Sequence, residues 1–420
     1  MNPSIAANQQ RLFLEFAAAL RPHVPRDSSL PRRIKEMFAR NRAIGSRDRK
    51  LYRELVYTWL RYRPWIDPLF DRNPALAARL TAWLAPELKP TSAYRAALCA
   101  DWPGAPATLR AKADLLGALL PGQSFDPASL LPGWFREHCP AAFTAPHLDA
   151  LNRRANIWVR LQCNDHELVL GEFRARGWDQ FIPDDCPEAV CLPPNAEVAG
   201  TDAYRRGFLE IQDLGSQLVL AYAPIVAGSR WLDACAGAGG KTLQLARLVG
   251  AAGQVDAADI RVDILDELRD RAQRARLANV RITNNPAGEY DGVLVDAPCS
   301  GSGTWRRQPH LKWYLTPESV EAFAQTQLEI LSAQAARVKA GGLLVYATCS
   351  LSRRENHDVV QSFRQAHQDF AVVDPEKTYG GIFDGHGTTL LPGTRDTDGF
   401  YVAVLRRAPV PDGRRSGSGI

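Results

Sequence analysis

Val293–Pro309, VLVDAPCSGSGTWRRQP, is the stretch whose reading decides the fold. A short β-branched apolar run ends in Asp296, and Pro298, Cys299, Gly301 and Gly303 then turn the backbone out of the strand into a loop. A second stretch, Gly341–Ser350, GGLLVYATCS, repeats the design and delivers Thr348, Cys349 and Ser350. In an open parallel α/β sheet, ligands sit outside the carboxyl ends of the strands. Either cysteine alone reads as a small buried hydrophobe. Two of them at strand tips, flanked by Asp, Pro, Gly and Ser, point to chemistry.

Working outward, strand and helix patterns alternate from Arg230 onward. The spacing predicts strands over 231–234, 254–258, 280–283, 292–295, 342–347 and 400–405. A helix is predicted over 317–339, capped by Thr316 with Pro317 in its first turn. This rhythm implies a mostly parallel sheet covered by helices on both faces. Between its first strand and first helix lies Asp233–Thr242, DACAGAGGKT. Glycines there let the backbone approach a ligand, and the helix amino terminus offers donors. A dinucleotide fingerprint starting at Gly237 would need a third glycine where Thr242 stands, and a Walker loop would need one at Cys235. Asp259, at the tip of the second strand, suits ribose hydroxyls. A glycine loop with a ribose acid and no phosphate signature points to S-adenosylmethionine, the alternative being a turn that binds nothing.

The amino-terminal half reads differently. Residues 9–120 have helical texture, with Leu51, Leu55 and Trp59 beside Tyr52, Val56 and Leu60 in a wide apolar stripe and Ser46 as its expected N-cap. Between Arg21 and Arg63 thirteen basic residues face four acidic ones, a local excess larger than the net +5 of the 420-residue chain. Such a surplus is a candidate phosphate-binding face, or an ordinary solvated helix surface. From about Pro132 short helices, the strand-like IWVRLQCN at 157–164 and Pro-rich loops suggest a small α+β subdomain.

Composition excludes several classes. Hydrophobic residues make up 45% and no apolar run approaches a bilayer span, so no membrane partner is expected. The start, MNPSIAANQQ, lacks signal-peptide character, and the eight cysteines contain no CxxC pair. A cytoplasmic protein with reduced thiols and no metal site is expected.

Taken together, CAGAGGKT, VDAADIR, VDAPCSGSGTWRRQPHLKW, ATCSLSRRENHDVV and TDGFYVAVL resemble, in order and spacing, the Nop/Sun family of RNA 5-methylcytosine methyltransferases. The resemblance covers roughly 134–407. IGSRDRKLYRELVYTWLRY resembles the close of the NusB-type helical RNA-binding domain, so the whole is similar to the bacterial small-subunit ribosomal RNA methyltransferase B group. The resemblance implies an α/β, Rossmann-like methyltransferase domain with a mostly parallel seven-stranded sheet over 216–408. Before it would stand an all-α NusB-like domain over 1–130 and an α+β subdomain over 131–215, with a disordered tail over 409–420.

The resemblance also implies roles. Cys349 would be the thiol that adds to carbon 6 of cytosine, and Cys299 would assist release of the methylated base. Asp296 would meet nitrogen 3 of the ring and approach the cofactor. Cys235, Ala236, Gly237, Ala238, Gly239, Gly240 and Lys241 would surround the methionine part of S-adenosylmethionine, with Asp259 on the ribose. Carbon 5 of cytosine is a poor nucleophile until a thiolate adds at carbon 6, which is why such a site needs a cysteine. Lys241 is a candidate cation beside Cys349.

Two departures stand out. The family's CAAPGGK reads CAGAGGK, and where relatives carry an acid near adenine this chain has Asn284 and Asn285. Arg307, His310, Lys312 and Trp313 are candidates to line an RNA groove, with Trp313 either stacking on a base or packing under the next helix. Glu355 and Asn356 are expected to be structural. The partner implied is RNA, ribosomal RNA first, bound by a monomer. The alternatives are a transfer RNA or DNA cytosine-5 methyltransferase, the latter using Cys299 as nucleophile, or a noncatalytic RNA-binding assembly factor.

Overall fold

The computed structural model describes residues 3–41 and 44–409. The chain forms two compact units, one drawn from residues up to 155 with 300–319 and 392–396, the other from 156–299, 320–391 and 397 onward. The tail expected to lack structure lies, from 410 on, outside the described residues. No helix among the described residues is long and apolar enough to cross a membrane.

The first unit opens with α1 (Pro3–Leu20), α2 (Leu30–Arg40), α3 (Ser46–Arg61), α4 (Arg63–Phe70), α5 (Pro74–Leu84), α6 (Ser92–Leu98) and α7 (Leu109–Leu119). The short α8 (Phe135–His138) and α9 (Ala145–Leu151) follow. The apolar stripe of α3 is buried along its length: Leu55, Val56 and Trp59 are each 0% exposed. Rings fill the space beside it, Phe16 meeting Phe38 and Tyr52 edge-on at 5.2 Å. Ser46 is the first helical residue and not the cap. Gly45 holds that position, and no side chain caps the helix.

The second unit begins with a three-stranded antiparallel sheet, ordered β2-β1-β3, of β1 (Ile157–Leu161), β2 (Ala189–Leu192) and β3 (Leu209–Ile211). Helices α10 (His166–Ala175) and α11 (Asp202–Arg205) accompany it. Val159, Leu161, Val169, Phe173, Val190 and Leu192 form its core. Helix α12 (Leu214–Ala221) leads into the main sheet.

Five strands of that sheet run parallel: β4 (Arg230–Asp233), β5 (Gln254–Ala257), β6 (Val280–Ile282), β7 (Tyr290–Asp296) and β8 (Val338–Thr348). Helices α13 (Gly240–Val249), α14 (Ile264–Arg274), α15 (Leu311–Tyr314) and α16 (Pro317–Ala335) fall between these strands in the chain, α15 belonging to the first unit. Thr316 and Ser319 cap α16 reciprocally, each side-chain oxygen accepting from the other's backbone N–H. Helix α17 (His357–Ala366), β9 (Phe370–Val372), β10 (Ile382–Phe383), β11 (Thr388–Leu390), α18 (Pro392–Arg395) and β12 (Phe400–Arg407) complete the order.

The main sheet holds nine strands where seven were expected, ordered β10-β11-β12-β8-β7-β4-β5-β6 with β9 also on β12. Six of the nine are the strands located by spacing; the other three, β9, β10 and β11, span only two or three residues each, too few for a period to show. Alternate residues of the central strands feed two cores. Leu294, Val345 and Ala347 face one, and Val293, Val295, Leu344 and Tyr346 face the other. The chain leaves β4 for β5 and β6 on one side and returns to β7 on the other. That reversal falls between β4 and β7, where ligands of such sheets bind beyond the carboxyl ends, and Asp233 and Asp296 end these two strands.

Candidate active site

Parallel pairing sets Asp296 of β7 beside Ala347 of β8. The chain then runs three residues to Cys299 and two to Cys349, and their Sγ atoms lie 3.3 Å apart. A buried frame of hydrogen bonds fixes both loops. Gln327 of α16 donates from Nε2 to the Pro298 carbonyl at 2.9 Å and to Glu355 Oε1 at 3.1 Å. Ser350 Oγ donates to Glu355 Oε2 at 2.5 Å, and Thr348 Oγ1 to Asn356 Oδ1 at 2.7 Å. Asn356 returns a bond from Nδ2 to the Ser350 carbonyl at 2.9 Å. Gln327, Glu355, Ser350 and Thr348 are each 0% exposed. Both residues flanking Cys349 and the one before Cys299 are therefore pinned, as expected of Glu355 and Asn356 as structural residues.

Lys241, in the first turn of α13, donates from Nζ to Asp296 Oδ2 at 2.7 Å and lies 5.2 Å from the Phe400 ring. Read from sequence as a cation, it forms an ion pair with Asp296. Asp233 accepts from Thr242 Oγ1 at 2.7 Å, and its Oδ1 is buried without a partner. Burial, aided by the Asp296 charge, pushes the Asp233 carboxyl up to about 7. Burial and then the charges of Asp233 and Asp296 also push the Cys235 thiol up, so it stays protonated.

The glycine loop closes on the second strand tip. Gly237 and Gly239 have φ of +52° and +90°. A Cβ on Gly239 would stand 2.7 Å from Leu268 Cγ, so glycine there lets α14 pack against the loop. Ala236 donates to the Ala258 carbonyl at 2.9 Å. Asp259 accepts from the Gly237 N–H at 2.8 Å and from the Arg261 guanidinium at 3.1 and 3.2 Å. Burial opposes ionisation of Asp259, but these bonds outweigh it and hold its carboxyl below the ordinary value. The Asp259 side chain is 5% exposed and that of Arg261 62%, so the buried acid lies under an exposed arginine. Asn284 and Asn285 are exposed. Ile260, 96% exposed, and Val262, 57% exposed, turn apolar surface to solvent beside the loop. Sequence reasoning passed over them; the signal was an apolar residue directly after a strand-tip acid.

The residues after the first cysteine loop do not form a surface row. His310 and Lys312 are 1% exposed. Lys312 Nζ donates to the Arg61 and Leu130 carbonyls at 3.1 Å and to Asn152 Oδ1 at 2.7 Å. Trp313 Nε1 donates to the Leu60 carbonyl at 2.6 Å, so the tryptophan packs inward, against the end of α3. Arg307 is exposed.

The basic run between Arg21 and Arg63 also divides. Arg61 is 5% exposed and donates to the Arg306 carbonyl. Arg21, Arg33 and Arg63 pair with Asp71, Asp27 and Asp67. Lys35, Arg49, Lys50 and Arg53 surround a groove of about 410 Å³ with Phe38 and Tyr57 in its lining. Arg42 lies outside the described residues.

Comparison with known proteins agrees with this architecture. A family model described as 16S rRNA methyltransferase RsmB/F matches residues 220–406. A ribosomal RNA small subunit methyltransferase B from Salmonella paratyphi C is 33% identical over 293 residues, 67% of each chain. In fold, the chain is similar to the crystal structure of PH0851, with a TM-score of 0.70 at 22% identity over 89% of this chain and 93% of that one. It is also similar to NSun6 from Pyrococcus horikoshii, solved with SFG, with a TM-score of 0.59 at 18% identity over 66% and 99%. With a relative of that identity and coverage, and motifs that converge on one sheet edge, the chain belongs to the 16S rRNA methyltransferase RsmB/F family.

Proposed function

We propose that this protein methylates carbon 5 of a cytidine in small-subunit ribosomal RNA, with Cys349 as the attacking thiol and Cys299 as its partner. The observation that carries the reading is the 3.3 Å approach of the two sulfurs just beyond the ends of adjacent parallel strands, one of which ends in the Asp296 that pairs with Lys241. Cys349, as thiolate, adds to carbon 6 and makes carbon 5 nucleophilic. Asp296 meets nitrogen 3, where charge builds during that addition, and Lys241 stabilises the carboxylate between proton transfers. After methylation Cys299 takes the proton from carbon 5. The freed electron pair restores the 5,6 double bond and expels Cys349.

S-adenosylmethionine fits the residues present and, when bound, supplies an electrophilic methyl group. The positive-φ glycine loop at the amino end of α13, with Cys235 to Lys241, would hold its methionine part. Asp259 would take the ribose once the exposed Arg261 side chain swings aside, and Ile260 offers apolar surface for a base. The target cytidine has to be unpaired or flipped out for a thiol to reach the ring face. The groove bounded by Lys35, Arg49, Lys50 and Arg53 is the reading for RNA backbone contact in a NusB-like domain over 1–130, with a monomer acting in the cytoplasm.

Trapping on RNA containing 5-azacytidine tests these roles. Cys349→Ala should form no covalent adduct, whereas Cys299→Ala should form one that persists. An adduct with Cys349→Ala, lost in Cys299→Ala, would reverse the assignment and favour the DNA-type mechanism.

A further inference from the structure

Away from the thiol site, the turn between β10 and β11 brings together three side chains that no part of the reaction uses. Asp384 and His386 lie in the turn Asp384-Gly385-His386-Gly387, and His357 is the first residue of α17. Asp384 Oδ1 accepts the backbone N–H groups of His386 and Gly387, each at 2.9 Å, which fixes the carboxylate. Its Oδ2 lies 3.1 Å from His357 Nδ1. The two imidazole rings are 4.2 Å apart between centroids. One donor atom from each of the three side chains lies within 4.8 Å of the other two.

We infer that His357, Asp384 and His386 form a binding site for a divalent transition-metal ion of the zinc, cobalt or nickel class. Two imidazoles and one carboxylate suit such ions, whereas magnesium and calcium favour all-oxygen sets. Metal–ligand bonds of about 2.0–2.1 Å at a tetrahedral angle put neighbouring ligand atoms about 3.3–3.4 Å apart. The His357–Asp384 edge already stands near that length. Side-chain rotation by His386 closes the other two edges, and water completes the fourth position. A simple His–Asp hydrogen bond accounts for only two of the residues. It leaves His386 Nδ1 buried with no hydrogen-bond partner, an arrangement that an ion relieves. Access is open, since the side chains of His357 and Asp384 are 19% and 32% exposed. The ion would tie the β10–β11 turn to the start of α17, directly after Glu355 and Asn356, which hold the Cys349 loop.

The test uses the full-length protein, stripped with a chelator and titrated with Co²⁺ while visible absorption is recorded. One equivalent should bind with ligand-field bands and no sulfur-to-cobalt charge-transfer band, and Zn²⁺ should displace it. His357→Gln and His386→Gln, each checked for an unchanged circular-dichroism spectrum, should weaken binding at least about tenfold. No binding at millimolar Co²⁺, a thiolate charge-transfer band, or the same affinity in both folded variants would overturn the proposal.

Discussion

Lys312 in the helical unit and Lys241 in the sheet unit are both buried, at 1% and 7% exposure, yet they face opposite environments. Lys312 is ringed by neutral oxygens, the carbonyls of Arg61 and Leu130 and the side-chain oxygen of Asn152. Burial, then the Arg61 charge, pushes its amine well below the ordinary value. Among the described residues no carboxylate pairs with it, and its work is to tie the backbone at Arg61 and Leu130 to the Asn152 side chain. Lys241 instead meets the carboxylate of Asp296 at a strand tip, near the buried acid Asp233. The acceptor set, more than depth, separates a structural lysine from one available to chemistry.

Substitutions at the two lysines should part cleanly if that distinction holds. Lys241→Met should cut kcat/KM by about 10²–10³, the usual cost of removing one preorganised donor, with little change in Tm. An equal loss of stability and activity would make Lys241 structural. Lys312→Met should do the reverse, lowering unfolding free energy by about 2–3 kcal/mol because buried carbonyls lose their donor, while kcat per folded molecule holds. Denaturant titration beside single-turnover methylation reads both.

Two smaller effects sharpen the contrast around the Lys241 site. Asp233 has a native carboxyl raised from 3.8 to about 7, so the native state holds its proton longer than the unfolded chain does. Its contribution to stability is therefore greatest at low pH and falls as pH rises from about 4 through 7. Relative to Asp233→Asn, the wild type should lose on the order of 2 kcal/mol between pH 5 and 7. A difference that does not change with pH would mean that Asp233 ionises normally. Glu355→Gln keeps the shape of the frame but weakens its bond from Ser350 Oγ. It should cost about 1 kcal/mol of stability and a several-fold drop in kcat, with KM for RNA unchanged. A rise in KM alone would move Glu355 out of the positioning frame.

Much of the sheet unit was legible because its signals are local. Apolar runs ending in Asp296 and Thr348, and the glycines before α13, announce strand tips and a helix start within a few residues each. The stripe of α3 was equally readable, since its period needs only its own helix. Other features failed for physical reasons. Lys312 and His310 looked like groove residues because a basic, aromatic stretch after a strand tip is normally solvated, yet residues 300–319 belong to the helical unit. The pairing of Lys241 with Asp296 was not legible either, because charge in a sequence carries no direction. The strands β9, β10 and β11 were missed for want of length.

Local periodicity, turn chemistry and motif order were enough to read an alternating α/β unit behind helices, and two cysteines destined for strand ends. Their 3.3 Å separation belongs to another level, because it depends on β7 and β8 being neighbours in register and on Gln327 and Glu355 reaching both loops from elsewhere in the chain. So does the meeting of His357 with Asp384 and His386. Spacing along a backbone encodes which residues share a strand or a helix face. Which strands and loops then touch is decided by packing among distant segments, and no local pattern records it.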